Sequence, residues 1–510
     1  MSGQGDRRGY RYSRVSHDRA ERRKIRHPAG DYGQAGAAPR RRGPPRCATC
    51  RGCGMTGSIA IIGSGPAGFY AAEALLNSGE ALCVDIFERL PVPFGLVRYG
   101  VAPDHQKLKR VTAVFETVAA HPDFSFIGNV TAGRDVSFEE LGAAYDAVIL
   151  ATGAISDRKL GIPGESLPGS HSATEFVSWY NGHPEFRDHS FDLSHPCAAI
   201  IGNGNVALDV CRILAKTPED LASSDICDHA LKVLSDSCIT DIVVAGRRGP
   251  LQASFSIREL REFAAIPGVE AVFDPAEIDE ASASPDEMDA AARMLTILKG
   301  FSHPDEPRKA ARRVHFRFLL SPSRIEGEGR AERVVLSRCK LEGEAFARRA
   351  VATEAETELS AGLVLRSVGY RGTPLPGVPF DDAKGVIPSR EGRVIDRDGE
   401  TVSGLYTAGW IRRGPSGIIG TNRECAAETA EAVLADLRAD RLTRDPSLRS
   451  RLLSRLQTGA AQTVNLAGWH RIDQMEQTVG AAQGKPREKI TSVAEMLAAA
   501  AVNMPEPALP

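Results

Sequence analysis

No uninterrupted apolar run among the 510 residues approaches the roughly 18 that a membrane span requires, which excludes a helical membrane protein. Cysteine is sparse and scattered. Of ten, only Cys47, Cys50 and Cys53 cluster, and most of the others fall in apolar runs, as buried free thiols do. That pattern gives no disulfide framework and favours a reducing compartment, the cytoplasm. The first 54 residues lack the 7 to 15 residue apolar core of a secretory signal. They also lack hydrophobic periodicity, and their Arg, Gly and Pro content predicts disorder.

Charge of one sign is missing only in the total. The net −2 conceals 14 Lys and Arg against four acids in residues 1–54, and 49 against 61 in the remainder, as expected of a separate tail. Cys47-x-x-Cys50-x-x-Cys53 has neither a fourth ligand nor a folded shell around it, so no metal site is expected. Met55 stands three residues before the first apolar strand, and the plainest expectation is that translation starts there. The alternatives are a basic arm for anionic partners and, with its four acids and little Ser, a poorly fitting organelle-targeting segment. The remaining length has room for two or three domains with sizeable cores.

What is present begins at Ile59–Gly68, IAIIGSGPAG, a buried strand running into Gly63, Gly65 and Gly68 with a helix directly behind. In this spacing the first glycine makes the turn, the second lets backbone approach a pyrophosphate, and the third lets helix pack on strand. The helix N-terminus then holds the phosphates. Twenty residues on, after the apolar run ALCVDIF, Glu88 is placed to accept hydrogen bonds from ribose hydroxyls. Strand, glycines, helix, strand and acid form one βαβ unit.

Ala198–Val210, AAIIGNGNVALDV, repeats the device with Gly202, Gly204 and Ala207. The strand that closes this second unit, Asp241–Ala245, is followed by Arg247 and Arg248 instead of an acid. An acid there would repel a 2′-phosphate, whereas paired guanidiniums bind it through charge-assisted hydrogen bonds of roughly 1.5 to 3 kcal/mol each. The second unit is therefore expected to select NADP(H) over NAD(H). Two nucleotide units of different selectivity imply two nucleotides, a resident FAD and an exchanging NADPH, and so a hydride donor with a flavin acceptor.

Between and beyond the two motifs the pattern is less regular. Leu90–His105 is broken by Pro and Gly yet apolar enough to be held against something. Helical spacing is expected at Lys107–Ala120, Leu251–Phe263 and Met288–Lys299, with residues 281–313 peripheral. Strands are expected at Asp123–Val130, Tyr145–Gly153, Val314–Leu320, Arg333–Leu341 and Gly362–Val368. GLYTAG (404–409), Trp410 and RRGPSGIIG (412–420) precede a helix at Cys425–Arg438, again placing small residues at a helix N-terminus.

Taken together, IAIIGSGPAGFYAAEALL, VPFGLVRYGVAPDH, IPGE (162–165), WYNG (179–182), GNGNVALDV, GRRGPLQASFSIRELRE, GYRGTPLPGVPFD, AGWIRRGPSGIIG and GKPREK (484–489) resemble the adrenodoxin-type ferredoxin–NADP reductases over about Ser58 to Leu497. The resemblance implies an α/β protein of two Rossmann-like domains. The NADP-binding domain (156–369) would be inserted into a discontinuous FAD-binding domain (55–155 and 370–510), with residues 1–54 outside both. It implies FAD contacts from Ala67, Glu88, Leu96, Trp410 and Gly417–Ile419, including Ile418. It implies NADPH contacts from Asn203, Gly204, Asn205 and Val206, and from Arg247, Arg248, Glu259 and Gly417. His105 and Glu262 match positions near the flavin and nicotinamide, and Asp209 matches a third position in the second motif. Ala132 stands where relatives often carry Val beside the adenine, a packing difference only, because that contact is expected through backbone.

The activity implied is transfer of a hydride from NADPH to FAD and release of single electrons to an acidic, ferredoxin-type iron–sulfur protein. Neither nucleic acid nor stable membrane insertion is expected. Dithiol flavoenzymes are the first alternative, but no C-x-x-C pair lies near Gly95–His105 or the second unit. The small subunit of glutamate synthase shares tandem units but carries an N-terminal set of cluster-binding cysteines, for which Cys47, Cys50 and Cys53 are a poor substitute. A redox sensor that holds FAD without turnover is the alternative of a different class.

Overall fold

The computed structural model describes residues 57–278, 283–442, 445–459 and 462–502. The expectations for residues 1–54, including Cys47, Cys50, Cys53 and the basic tail, lie outside the described residues. Among the described residues no helix is long and apolar enough to cross a membrane.

Two parallel sheets carry the fold. In the first, strands Gly57–Ile62, Leu82–Glu88, Phe124–Gly128 and Ala147–Leu150 run parallel, with Gly57–Ile62 central between the second and the fourth. The run IAII has no polar residue because both faces of this strand are covered, as parallel sheets require. Ile59 and Ile61 face one core, built with helices Pro66–Leu76, Thr421–Arg438, Leu466–Ala482 and Val493–Ala501. Ala60 and Ile62 face another, closed by Leu452 and Leu456 of helix Pro446–Thr458.

The chain returns late to this sheet. Thr401–Thr407 pairs in parallel with Ala147–Leu150, extending the sheet into the short antiparallel strands Arg393–Ile395 and Ser389–Arg390. Everything that builds the second sheet lies in sequence between those two neighbours.

That second sheet is parallel throughout, ordered Ser170–Ser172, Leu363–Arg366, Cys197–Ile201, Asp241–Ala245, Arg312–Arg317, Val269–Phe273. One face packs on helices Ala173–Tyr180, Asn205–Ala215 and Ile257–Ala264. The other is covered by a three-stranded antiparallel sheet, Leu320–Glu326, Arg333–Glu342 and Arg349–Ser360. The chain crosses between the two sheets twice, and the crossings pair with each other as Ser156–Asp157 against Tyr370–Arg371.

Four segments differ from the sequence expectation: Lys107–Ala120 is two helices, Gln106–Lys109 and Thr112–Ala119, Val314–Leu320 runs from strand Arg312–Arg317 into the start of Leu320–Glu326 in another sheet, and two more differ as follows. Leu251–Phe263 is not one helix: Pro250–Gln252 is a short 3-10 turn, Phe255 turns inward, and the α-helix starts only at Ile257, where the Ser256 hydroxyl accepts from Glu259 N. Residues 283–313, the described part of the stretch expected to be peripheral, are not so. Helix Pro285–Leu298 buries Ala291, Met294, Leu295 and Leu298 in the second core, a stripe at helical spacing hidden in an Ala- and charge-rich sequence.

Candidate active site

The first glycine loop leaves a helix end without a cap. Gly65 is the N-cap residue of helix Pro66–Leu76 and offers no side chain to its first N–H groups. A Cβ on Gly65 would meet nothing within 4 Å, so the space above that helix end is open. The flanking glycines are closed. Gly63 has φ +107, and a Cβ on Gly68 would lie 2.1 Å from Gly63 O. The turn and the helix–strand contact thus depend on Gly63 and Gly68, while Gly65 keeps a face free for a ligand.

Glu88 closes the loop from the neighbouring strand. One carboxylate oxygen accepts from Ser64 N (3.0 Å) and Ser64 Oγ (2.7 Å), and the other accepts from Leu90 N (3.1 Å). The second oxygen, with a single donor, keeps a further lone pair. The irregular stretch after Glu88 is held against this loop: Phe94 N donates to Ser64 O at 3.0 Å, and the Phe94 ring packs on Phe69. Leu96 begins a short helix there, half-buried. Ala132 is half-buried beyond the strand ends and bridges to Val136.

The late glycine segment comes to the same place. A Cβ on Gly409 would lie 2.5 Å from the Ala67 Cβ, so the backbone beside Trp410 touches the first helix. Gly417 and Ile418 are exposed and Ile419 half-buried; Ile418 N donates to Thr421 Oγ1 at 3.1 Å. The Trp410 ring lies 5.6 Å from that of Tyr370, on the second crossing strand.

In the second loop Gly204 is likewise a bare N-cap, of helix Asn205–Ala215, with nothing within 4 Å of a Cβ. Gly202 is closed, a Cβ there falling 2.1 Å from Ser367 O. The Asn203 side-chain nitrogen is buried without a partner among the described residues, Asn205 Oδ1 accepts from Ser256 N at 2.8 Å, and Val206 packs on the second core. Arg247 is exposed and Arg248 half-exposed, the latter only 3.4 Å from Ser254 Oγ. Open uncapped helix ends, an orphaned amide and two available guanidiniums fit a phosphate-bearing dinucleotide. The helices starting at Phe138 and Ala173, by contrast, have complete capping boxes.

The two units meet at His105. Its imidazole is 8% exposed and collects carboxylates from the second unit. Glu262 Oε2 lies 3.1 Å and Glu259 Oε2 3.7 Å from Nε2, and Asp209 Oδ1 lies 3.8 Å from Nδ1. All the expected catalytic residues, His105, Glu262 and Asp209, are therefore in one cluster. Burial pushes the Asp209 carboxyl up against the pull of Arg212 and His105. Burial and the neighbouring Asp209 likewise push Glu259 up. Burial would also raise Glu262, but the Arg258 hydrogen bond and His105 outweigh it and hold it below its ordinary value.

His105, Glu259 and Glu262 offer ligand atoms within 4.8 Å of one another, a spacing a cation could use. Two of the three are already answered by guanidiniums, Glu262 by Arg258 at 2.9 Å and Glu259 by Arg212 at 3.3 Å.

Sequence reasoning missed Arg212 and Asp104, which lie behind His105. A signal existed: in NVALDVCRILA, Arg212 falls among apolar residues of a helix, where a charge must find a buried partner. It also left GKPREK without a physical role. Lys489, 3% exposed, and Lys109 both hold Asp225, at 3.0 and 2.7 Å, so the late segment bolts helix Gln106–Lys109 to the second unit.

Comparison with known proteins agrees with this geometry. Residues 57–243 match the family described as pyridine nucleotide-disulphide oxidoreductase. The chain is 46% identical over 456 residues to NADPH-ferredoxin reductase FprA of Mycobacterium tuberculosis, covering 86% of this chain and 98% of that protein. It is 41% identical over 459 residues to the mitochondrial NADPH:adrenodoxin oxidoreductase of Arabidopsis thaliana, covering 87% and 95%. The solved structure of Mycobacterium tuberculosis FprA in complex with NADPH superposes with a TM-score of 0.82 at 45% identity, covering 87% of this chain and 99% of that one. The chain belongs to the adrenodoxin-type ferredoxin–NADP reductases, oxidoreductases that bind FAD and NADP(H).

Proposed function

We propose that this chain is an NADPH-dependent reductase whose FAD, when bound, accepts a hydride from NADPH and yields electrons one at a time to an acidic, ferredoxin-type iron–sulfur protein. The observation that carries the reading is the seam at His105, where the irregular stretch following the first glycine loop meets the helices that follow the second.

In this reading Gly63, Gly65, Ala67, Gly68, Glu88, Leu96, Ala132, Trp410, Gly417, Ile418 and Ile419 hold FAD, within residues 55–155 and 370–510. Residues 156–369 form the NADP-binding domain, with Asn203, Gly204, Asn205, Val206 and Glu259 along the dinucleotide and Arg247 and Arg248 on its 2′-phosphate. His105, Glu262 and Asp209 orient the reacting rings and hold protons beside them. Glu262 is half-exposed while His105 is buried, so the pair offers a step between the interior and water. Residues 1–54 take no part.

Exposed Lys107 and Arg110, just after His105, support an acidic acceptor despite the acidic excess of residues 55–510. Acceptor reduction should fall steeply as salt rises, and a flat response would remove the charge-guided docking. Cytoplasmic placement is supported by the free thiols of the seven described cysteines and is tested by fractionating cells.

Anaerobic titration of the purified protein with NADPH, followed by a plant-type ferredoxin and cytochrome c, tests the function. A yellow protein that bleaches and then passes electrons on is expected. A yellow protein that NADPH leaves oxidised would favour the sensor reading, and a colourless one would remove the FAD assignment. A protein truncated to begin at Met55 should retain both FAD and bleaching.

A further inference from the structure

Behind His105 stands a second layer of charge. Arg212, 2% exposed, donates from Nε to Asp104 Oδ2 at 2.7 Å and from Nη2 to Asp104 Oδ1 at 3.0 Å. The same guanidinium reaches Asp209 at 2.7 Å and Glu259 at 3.3 Å. Asp104 is the chain neighbour of His105, and Asp209 and Glu259 are two of the three carboxylates that face the imidazole. One planar fork thus touches the loop that carries His105 and two acids that surround it. Lysine could not reproduce this, because an ammonium is a point charge without fixed directions.

The charge count gives the arrangement a purpose. Four carboxylates, Asp104, Asp209, Glu259 and Glu262, meet three fixed cations, Arg212, Lys216 and Arg258. The cluster is neutral with one proton on it. We propose that Arg212 is a positioning residue of this active centre, which keeps that proton number at one by holding Asp209 and Glu259 ionised and fixes the aim of His105 through Asp104. The proposal rests on the reductase reading above.

The remaining groups facing the fork do not change the count near neutral pH. Burial pushes the Tyr180 hydroxyl, the Tyr370 hydroxyl and the Cys211 thiol well up, so all three keep their protons. Burial would raise Asp104, but hydrogen bonds and charge from Arg212 and Lys216 take it well below the ordinary carboxylate range. Asp209 and Glu259 are different: burial pushes both up even with Arg212 in place. Without Arg212 they become the groups that take up a second proton, and His105 loses its anchored loop.

The test is the rate of flavin bleaching by NADPH in Arg212→Met and Arg212→Lys, against the wild type, between about pH 6 and about pH 9, above the ordinary carboxylate range. Arg212→Met should be slower by about a hundredfold at the acid end, where Asp209 and Glu259 hold the second proton, and should recover in part as the pH rises, the remainder being the lost aim of His105. Arg212→Lys, which keeps the charge and loses the fork, should lie between the two and retain FAD. If Arg212→Met does not retain FAD, the Lys variant carries the test by the shift of its pH profile. A uniform loss at every pH, or wild-type profiles in both variants, would reduce Arg212 to scaffolding and overturn the proposal. A wild-type flavin that NADPH does not bleach would instead overturn the reductase reading, and this proposal with it.

Discussion

His105 Nε2 lies 3.1 Å from Glu262 Oε2 across 157 residues of chain, and this contact joins the stretch behind the first glycine loop to the helix behind the second. Glu262 also accepts from Arg258 Nε at 2.9 Å, one helical turn away. Its carboxyl is held below its ordinary value, so the interaction is present above about pH 4.5 and is lost only as pH falls through that lower value. Glu262→Gln should therefore slow flavin reduction about tenfold, some 1.4 kcal/mol of barrier, with a nearly pH-independent deficit in the neutral range. Stopped-flow bleaching across pH checks it. A deficit that vanishes on either side of neutrality would show that another group controls the step.

Substitutions at Gly65 and Gly68 should separate ligand binding from folding. Gly65→Ala places its methyl in open space at φ −75, so thermal stability of the FAD-free protein should be unchanged while FAD affinity drops at least about tenfold. Gly68→Ala places a methyl 2.1 Å from Gly63 O and should destabilise the protein by about 1–3 kcal/mol, the usual cost of overpacking. Calorimetry of the stripped protein and flavin titration measure the two effects. Equal loss of FAD and stability in both would refute the division.

Arg247→Ala with Arg248→Ala should raise the NADPH KM by about a hundredfold or more and leave NADH turnover in place, since two charge-assisted contacts of roughly 1.5 to 3 kcal/mol are removed. Steady-state comparison of the two donors is sufficient. An unchanged preference for NADPH would move the 2′-phosphate elsewhere.

Asp225 is the counter-charge of two buried ammoniums, Lys109 and Lys489. Asp225→Asn leaves both unanswered and should destabilise the protein by about 3–5 kcal/mol near neutral pH. Burial already outweighs Asp225 and lowers the Lys109 ammonium to about 7, and without Asp225 it falls further, so the variant's folded state sheds that proton at a lower pH than the wild type's. The gap to wild type should narrow as pH rises toward about 7 and hold level above it. Denaturant unfolding at several pH values measures it, and a constant gap would show that the cost is loss of packing.

The first and second nucleotide units were legible because their constraints are local. A strand buried on both faces must be apolar, a turn at φ +107 selects glycine at position 63, and an anion site needs a bare helix end. All three conditions fall within a dozen residues. The expectation for Arg247 and Arg248 is local in the same sense, since it rests only on their place after a strand. Helix Pro285–Leu298 was harder to place, because four apolar residues at helical spacing in an Ala-rich background do not reveal which surface they meet.

What sequence alone determined is thus two glycine loops at helix starts and, through the resemblance, the family and the residues that meet at their junction. Tertiary structure alone decided how that junction is charged. Arg212 finds Asp104 across 108 residues, and Lys489 finds Asp225 across 264. A buried charge announces that it must have a partner, because desolvation without one is too costly. It does not say which partner, since that depends on where two separately folded sheets bring their ends together.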